Sequence, residues 1–185
     1  MKFGKVLLED AEGAILAHSV RLDQGVFRKG RLLSKADISR LKSANIEMVV
    51  AAQLEVGDLD ENAAALKIAH ALQNDGLAAT GGNTGRANLR ADAPGLTIID
   101  PETVHRINAV DEAVTVSTLR PFDAIAKGHG VATVKIITFG VSGDTIDACL
   151  SIIREGAPPI RLARYGSPKI GFIQTLTPGF NKKLT

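Results

Sequence analysis

The sequence predicts a mixed α/β fold, two-lobed, with mixed sheets and about four helices. Three observations carry this. Segments with helical apolar spacing alternate with short runs rich in Val, Ile and Thr, as at Val131, Thr133, Val134, Ile136 and Ile137. Several helices mark their own starts with a capping residue. A chain of 185 residues, 45% hydrophobic and 23% charged, is ordinary globular material and long enough for one sizeable core or two small lobes.

Taken in order, the apolar runs Val6–Leu8 and Ile15–Val20 flank the Asp10–Gly13 turn cluster, predicting strands joined by a tight connection. Ser34 with Asp37 three residues on is an aspartate variant of the capping box; Ile38 and Leu41 continue that helix and Asn45 ends it. Ile46–Ala52 reads as a buried strand. Asp60 opens a second helix with Ala65, Leu66, Ala69 and Leu72 on its apolar face, and Asn74, Asp75 and Gly76 close it. A glycine-rich loop follows, then Leu96–Ile99 as a short strand, then a third helix starting at Asp100 and Pro101 that buries Val104 and Ile107.

From Ala113 to Phe139 the β-branched density predicts two or three strands, punctuated by Pro121 and by Gly128, His129 and Gly130. Asp144 caps a fourth helix in which Ile146, Cys149, Leu150 and Ile153 share one face. Gly156–Pro159 breaks it, and strands are predicted at Ile160–Ala163 and Lys169–Leu176. The run GFIQTL is near-continuously apolar, as a parallel strand buried on both faces requires. Three sections result: residues 1–76 as an N-terminal β-α-β lobe with the second helix, 77–156 as a mixed α/β lobe with the glycine-rich loop, and 157–185 as a linker plus one strand, either the first of a domain continuing past Thr185 or a last strand completing an existing sheet.

Composition excludes several functions. A formal charge of +2, with no run of five like charges, argues against a nucleic-acid surface. The absence of tryptophan and a single tyrosine leave few stacking platforms. Cys149, alone and on a helix face, predicts a buried, inert thiol. His18, His70, His105 and His129 lack metal-ligand spacing, and no serine sits in a nucleophile elbow. The start MKFGKVLLED carries no apolar signal region and no stretch reaches transmembrane length, so a bacterial-type cytoplasmic location is expected.

The segment most suited to an anion is TGGNTGRANLR, Thr80–Arg90, with three glycines, two arginines and no carboxylate. Glycines let backbone N–H groups turn toward a phosphate, and arginine forks clamp one. Gly81, Gly82, Asn83, Thr84, Gly85, Arg86 and Arg90 are therefore candidate ligand residues; the plain alternative is a surface loop whose arginines pair with acidic neighbours. Lys135, interrupting an apolar strand, faces solvent by alternation or serves the same ligand. Asp111 and Glu112 adjoin a helix end and are candidate partners for Arg120. Thr118, Arg120 and Asp123 are candidates for a pocket mouth.

Two segments resemble proteins of molybdenum cofactor biosynthesis. VFRKGRLLSKADISRLKSANIEMVV is similar to the stretch preceding the cofactor domain in the molybdopterin molybdotransferase family, matching at Gly30, Leu33, Asp37, Ile38, Leu41, Ile46 and Val49, with Asn45 in place of the usual glycine. GRANLRADAPGLTIIDPETVHRINAVDEAVTVSTLRPF, followed by VATVKIITF, resembles the N-terminal region of bacterial molybdopterin-binding proteins, some fused to a nucleotidyltransferase domain. PKIGFIQTLTPGF is similar to the first strand of the pterin-binding α/β domain, so the resemblance implies a chain ending at the first strand of an α/β cofactor-binding domain.

Thr177, Pro178 and Gly179 stand where molybdotransferases carry T-G-D/S-E, without its acidic residue, and S-A-M-D-G-Y-A is absent. The string GVSGDTID imitates the family's pterin loop but reads as an ordinary helix cap. The resemblance thus implies molybdopterin as ligand and a homodimer acting by recognition or dimerisation rather than catalysis. Two other readings stay open. One is an enzyme taking a phosphorylated metabolite or nucleotide at Gly81–Arg90; the other is a structural dimerisation module.

Overall fold

The computed structural model describes residues 1–23 and 25–175, a mixed α/β arrangement with two hydrophobic cores. The smaller is built from β1 (Lys2–Leu7), β2 (Ile15–Leu16), β3 (Val20–Leu22), β4 (Gly25–Phe27), α1 (Lys35–Ser43) and β5 (Met48–Gln53). Strand β5 lies between β1 and β2, antiparallel to both. The tight connection expected between Val6–Leu8 and Ile15–Val20 is therefore not a hairpin. Its turns close on themselves, Asp10 N donating to Leu7 O at 3.0 Å and Ala14 N to Ala11 O at 3.1 Å, while buried Val49 and Ala51 claim the central position for β5.

Helix α1 forms as its cap predicts. Asp37 N donates to Ser34 Oγ at 3.2 Å and Ser34 N to Asp37 Oδ2 at 3.2 Å, closing a reciprocal capping box. Asn45, at φ 56°, supplies the left-handed residue that ends the helix. Ile38 and Leu41 join Leu8, Leu16, Phe27 and Leu33 in the core, and the guanidinium carbons of Arg31 and Arg40 sit 4.6 and 4.9 Å from the Phe27 ring centre.

The larger core takes β6 (Asp58–Asp60), α2 (Glu61–Leu72), β7 (Leu77–Asn83), β8 (Arg86–Ala91), β9 (Gly95–Ile99), α3 (Pro101–Asn108), β10 (Val114–Thr118), β11 (Ala124–Ile125), β12 (Gly130–Ile136), β13 (Gly140–Ser142), α4 (Gly143–Arg154) and β14 (Ile160–Arg164). Its main sheet runs β10-β12-β8-β7, all antiparallel. Leu77, Ala87, Leu89, Val114, Val116, Val134 and Ile136 face the core, where α2 contributes Ala65, Ile68 and Leu72. The intervening residues Thr80, Arg86, Asn88, Arg90, Thr115, Ser117 and Lys135 face outward, as period-two alternation demands.

Both sheet edges carry a side-chain amide in place of a neighbouring strand. Asn108 accepts from Val116 N at 2.7 Å and donates to Val116 O at 2.9 Å, while Gln73 Oε1 accepts from Ala79 N at 3.1 Å.

Because α2 packs wholly into the larger core, the two packing units part between Gln53 and Leu59 rather than at residue 76. Helix α4 is capped by Ser142, whose Oγ accepts from Thr145 N at 3.1 Å, and not by Asp144, which lies within the first turn. Strand β14 pairs with β9, in the sheet β11-β9-β14, and buries Ile160 completely. The strand expected at Lys169–Leu176 is absent over the described part: Ile170, Phe172 and Ile173 are 84%, 87% and 90% exposed with no neighbouring strand. Apolarity alone does not make a strand where no ladder partner stands beside it. Leu176, with Thr177, Pro178 and Gly179, lies outside the described residues.

Cys149 is fully buried among Ile146, Leu150 and Ile153, and burial pushes its thiol up to about 11. Iodoacetamide at pH 8 is expected to leave it unmodified in the native protein and to alkylate it in urea; modification without denaturant would contradict this packing. Among the described residues, no helix is long and apolar enough to cross a membrane.

Candidate functional site

The glycine-rich segment is a β-hairpin rather than a loop. Strands β7 and β8 pair from Leu77↔Ala91 to Asn83↔Arg86, leaving Thr84 and Gly85 as a two-residue turn with φ 53° and 66°. Two successive positive φ values match the type I′ turn, whose twist suits antiparallel strands. Gly85 is required here for space as well. A Cβ on it would lie 2.8 Å from Ile136 O and 3.2 Å from Glu61 Cβ.

Its amide is already committed, donating to Asn62 Oδ1 at 2.9 Å, and its carbonyl accepts from Ile136 N at 2.8 Å. These bonds fix the hairpin tip against α2 and the end of β12. They do not leave the Gly85 N–H free for a phosphate.

Arg86 and Arg90 do not converge either. Four residues apart on β8, they are separated by about 13 Å along the strand. Arg90 Nη1 donates to Gly128 O at 2.9 Å, tying it to the turn before β12. Arg86 instead stands directly opposite Lys135 on β12. Like charges facing each other across a ladder repel, and no carboxylate pairs with either side chain among the described residues.

Lys135 and Thr84 do come together, in a cleft where the two lobes meet. It is about 470 Å³ and is lined by Lys29 and Gly30 from the smaller lobe, Glu61 and Asn62 from the first turn of α2, and Lys135, Thr138 and Phe139 from the end of β12 onward. Lys29 Nζ sits 5.3 Å from the Phe139 ring centre, and the Phe3 ring stacks on Phe139 at 6.2 Å with 14° between planes. Lys29, like Lys135, forms no ion pair among the described residues.

Burial raises the Glu61 carboxyl above the usual range, against the opposing pull of Lys135 and Lys29. A second hollow of about 360 Å³ adjoins the first and shares Gly30, Glu61, Asn62 and Phe139 with it. Its remaining wall is mainly apolar, with Ile15, Leu32 and Leu54 beside Asp60.

Residues 5–53 match a family described as Domain of unknown function (DUF8806). That span frames the smaller core, Leu8 to Ala51, and stops where the chain crosses to the larger one. No curated protein and no solved structure matches the chain.

Of the sequence-predicted site, then, Lys135 and Thr84 line the cleft, Arg86 stands beside Lys135, and Gly81, Gly82, Asn83 and Gly85 serve the hairpin. Lys29, Glu61, Asn62 and Phe139 were not singled out as ligand residues from the sequence. In the sequence Lys29 stands beside Arg28 with no pattern joining it to a cavity, and Glu61 is the residue after the helix start at Asp60.

The remaining candidates lie away from the cleft. Asp111 accepts from Ala113 N at 2.8 Å and Thr145 Oγ1 at 3.2 Å rather than meeting Arg120, which pairs with Asp123 at 3.6 Å. Asp123 also accepts from Arg120 N at 3.2 Å, and its own N–H donates to buried Thr97 at 3.0 Å, so the pair closes a turn. GVSGDTID is β13 and the capped start of α4. The four histidines are exposed, and no cluster of His, Cys, Asp or Glu suited to a metal occurs among the described residues.

Proposed function

We propose that this chain is a molybdopterin-binding protein of molybdenum cofactor biosynthesis, cytoplasmic and homodimeric, that acts by recognition or dimerisation rather than catalysis. The ligand's phosphate would enter the cleft between the lobes. One observation carries the anion reading: Lys29 and Lys135 reach that cleft from different lobes, and neither is neutralised by an ion pair among the described residues. Unpaired ammonium groups around a cavity favour an anionic guest, and Thr84 adds a hydroxyl. The choice of molybdopterin rests on the sequence resemblance.

Isothermal titration tests the proposal. Molybdopterin is expected to bind the native protein, and Lys135→Ala to weaken binding by about 1.5 kcal/mol, the low end for a charged hydrogen bond because the cleft is open to water. Absence of binding would end the cofactor assignment.

The second reading, an enzyme for a phosphorylated metabolite, draws support from Glu61, a carboxyl held above its usual range beside two lysines. Turnover abolished by Glu61→Gln with phosphate binding retained would favour it.

A further inference from the structure

The cleft has two halves of opposite character, and an inorganic anion would use only one. Lys29, Lys135 and Thr84 line one hollow; Ile15, Leu32 and Leu54 line the other beside Asp60, whose Oδ1 is taken up in capping α2; Gly30, Glu61, Asn62 and Phe139 belong to both. A site for free phosphate has no use for the apolar hollow. It is also harmed by Glu61, a carboxylate whose field opposes an anion beside the lysines. A half-buried carboxylate at the waist is useful to a guest that brings hydrogen-bond donors there.

An amidine-type edge, one ring N–H beside an exocyclic NH₂, presents two parallel donors to the two oxygens of a carboxylate. Phe139, with Phe3 stacked on it and Lys29 Nζ over its ring, gives both hollows an aromatic side. Asn62 cannot replace Glu61 in this role, because its Oδ1 already accepts from Gly85 N at 2.9 Å. At Gly30 an added Cβ would meet nothing within 4 Å, so the shared wall there is open to a guest.

Building on the anion reading of this cleft, we propose that its ligand is a phosphorylated heterocycle with an amidine-type ring edge. The phosphate lies toward Lys29 and Lys135, the ring lies in the Ile15, Leu32 and Leu54 hollow, and Glu61 selects the ring edge. A ring without that edge covers the half-buried Glu61 carboxylate without satisfying it and is rejected.

The test titrates inorganic phosphate, AMP and GMP, whose guanine carries the required edge, into the native protein and Glu61→Gln. GMP is expected to bind the native protein about tenfold more tightly than AMP. Glu61→Gln should erase that preference while strengthening phosphate binding, because it removes the opposing charge but keeps the side chain's size. A merely structural role for Glu61 would shift all three ligands the same way, which would overturn the proposal. So would equal affinity of the native protein for GMP and AMP. If GMP is preferred but the double variant Lys29→Ala, Lys135→Ala binds it undiminished, the anion reading itself fails; if phosphate binds through the lysines without any preference among rings, only the ligand class does.

Discussion

Replacing Asp37 with alanine is expected to lower stability by about 2 to 3 kcal/mol. Asp37 is only 3% exposed and serves two structures at once. It accepts from Arg31 Nε at 3.0 Å and Nη2 at 2.8 Å, and from Ser34 N at 3.2 Å to complete the cap of α1. Removing it strands the Ser34 amide and releases Arg31 from between the cap and the Phe27 ring. Arg31 is partly exposed, which keeps the loss near the lower end of what breaking a buried pair costs.

The same contacts make stability depend on pH. Hydrogen bonding from Arg31 holds the Asp37 carboxyl down to about 2, against 3.8 when unperturbed. A carboxyl depressed by folding adds stability above its unfolded value and loses it as pH falls, so this contribution fades between about pH 4 and pH 2. Urea midpoints followed down through that window should fall more steeply for the native protein than for Asp37→Ala. Parallel curves would show that Asp37 is not linked to folding.

Gly85→Ala should also cost about 2 to 3 kcal/mol, with two separable sources. One is the left-handed backbone at φ 66°; the other is the 2.8 Å approach of the new Cβ to Ile136 O, a backbone atom that cannot rotate away. Gly13, at φ 76° with nothing within 4 Å, isolates the first source, and Gly13→Ala should cost only about 1 kcal/mol. Equal losses at the two sites by urea denaturation would mean the hairpin tip is not clamped between α2 and β12. Because the added methyl also crowds Glu61 Cβ at 3.2 Å, the Gly85 variant should disturb the cleft, whereas the Gly13 variant should not.

The sequence is legible where a feature is decided within a few residues. Ser34, Asp60 and Asp100 cap α1, α2 and α3 as their side chains and spacing require. The cap of α4 shifted by two residues because Ser142 and Asp144 are both competent, and pairing of β13 with β6 carries the strand to Ser142. Glycine was ambiguous between a phosphate loop and a tight hairpin. The deciding signal was present in the alternation of Ala87, Leu89 and Ala91 with Arg86, Asn88 and Arg90, which marks a half-buried strand. The exposed run at Ile170–Ile173 shows the reverse failure, strand composition without a neighbour to complete it. No local pattern joins Lys29 to Glu61 and Lys135, since their meeting depends on how two separate cores come together.

The proposed anion site is the cleft at Lys29 and Lys135 rather than the arginines of the hairpin. Titration of inorganic pyrophosphate at low ionic strength, into the native protein and two double variants, tests it most directly. Lys29→Ala with Lys135→Ala is expected to abolish binding, while Arg86→Ala with Arg90→Ala should leave most of it. Binding that survives loss of both lysines and vanishes with the two arginines would contradict it.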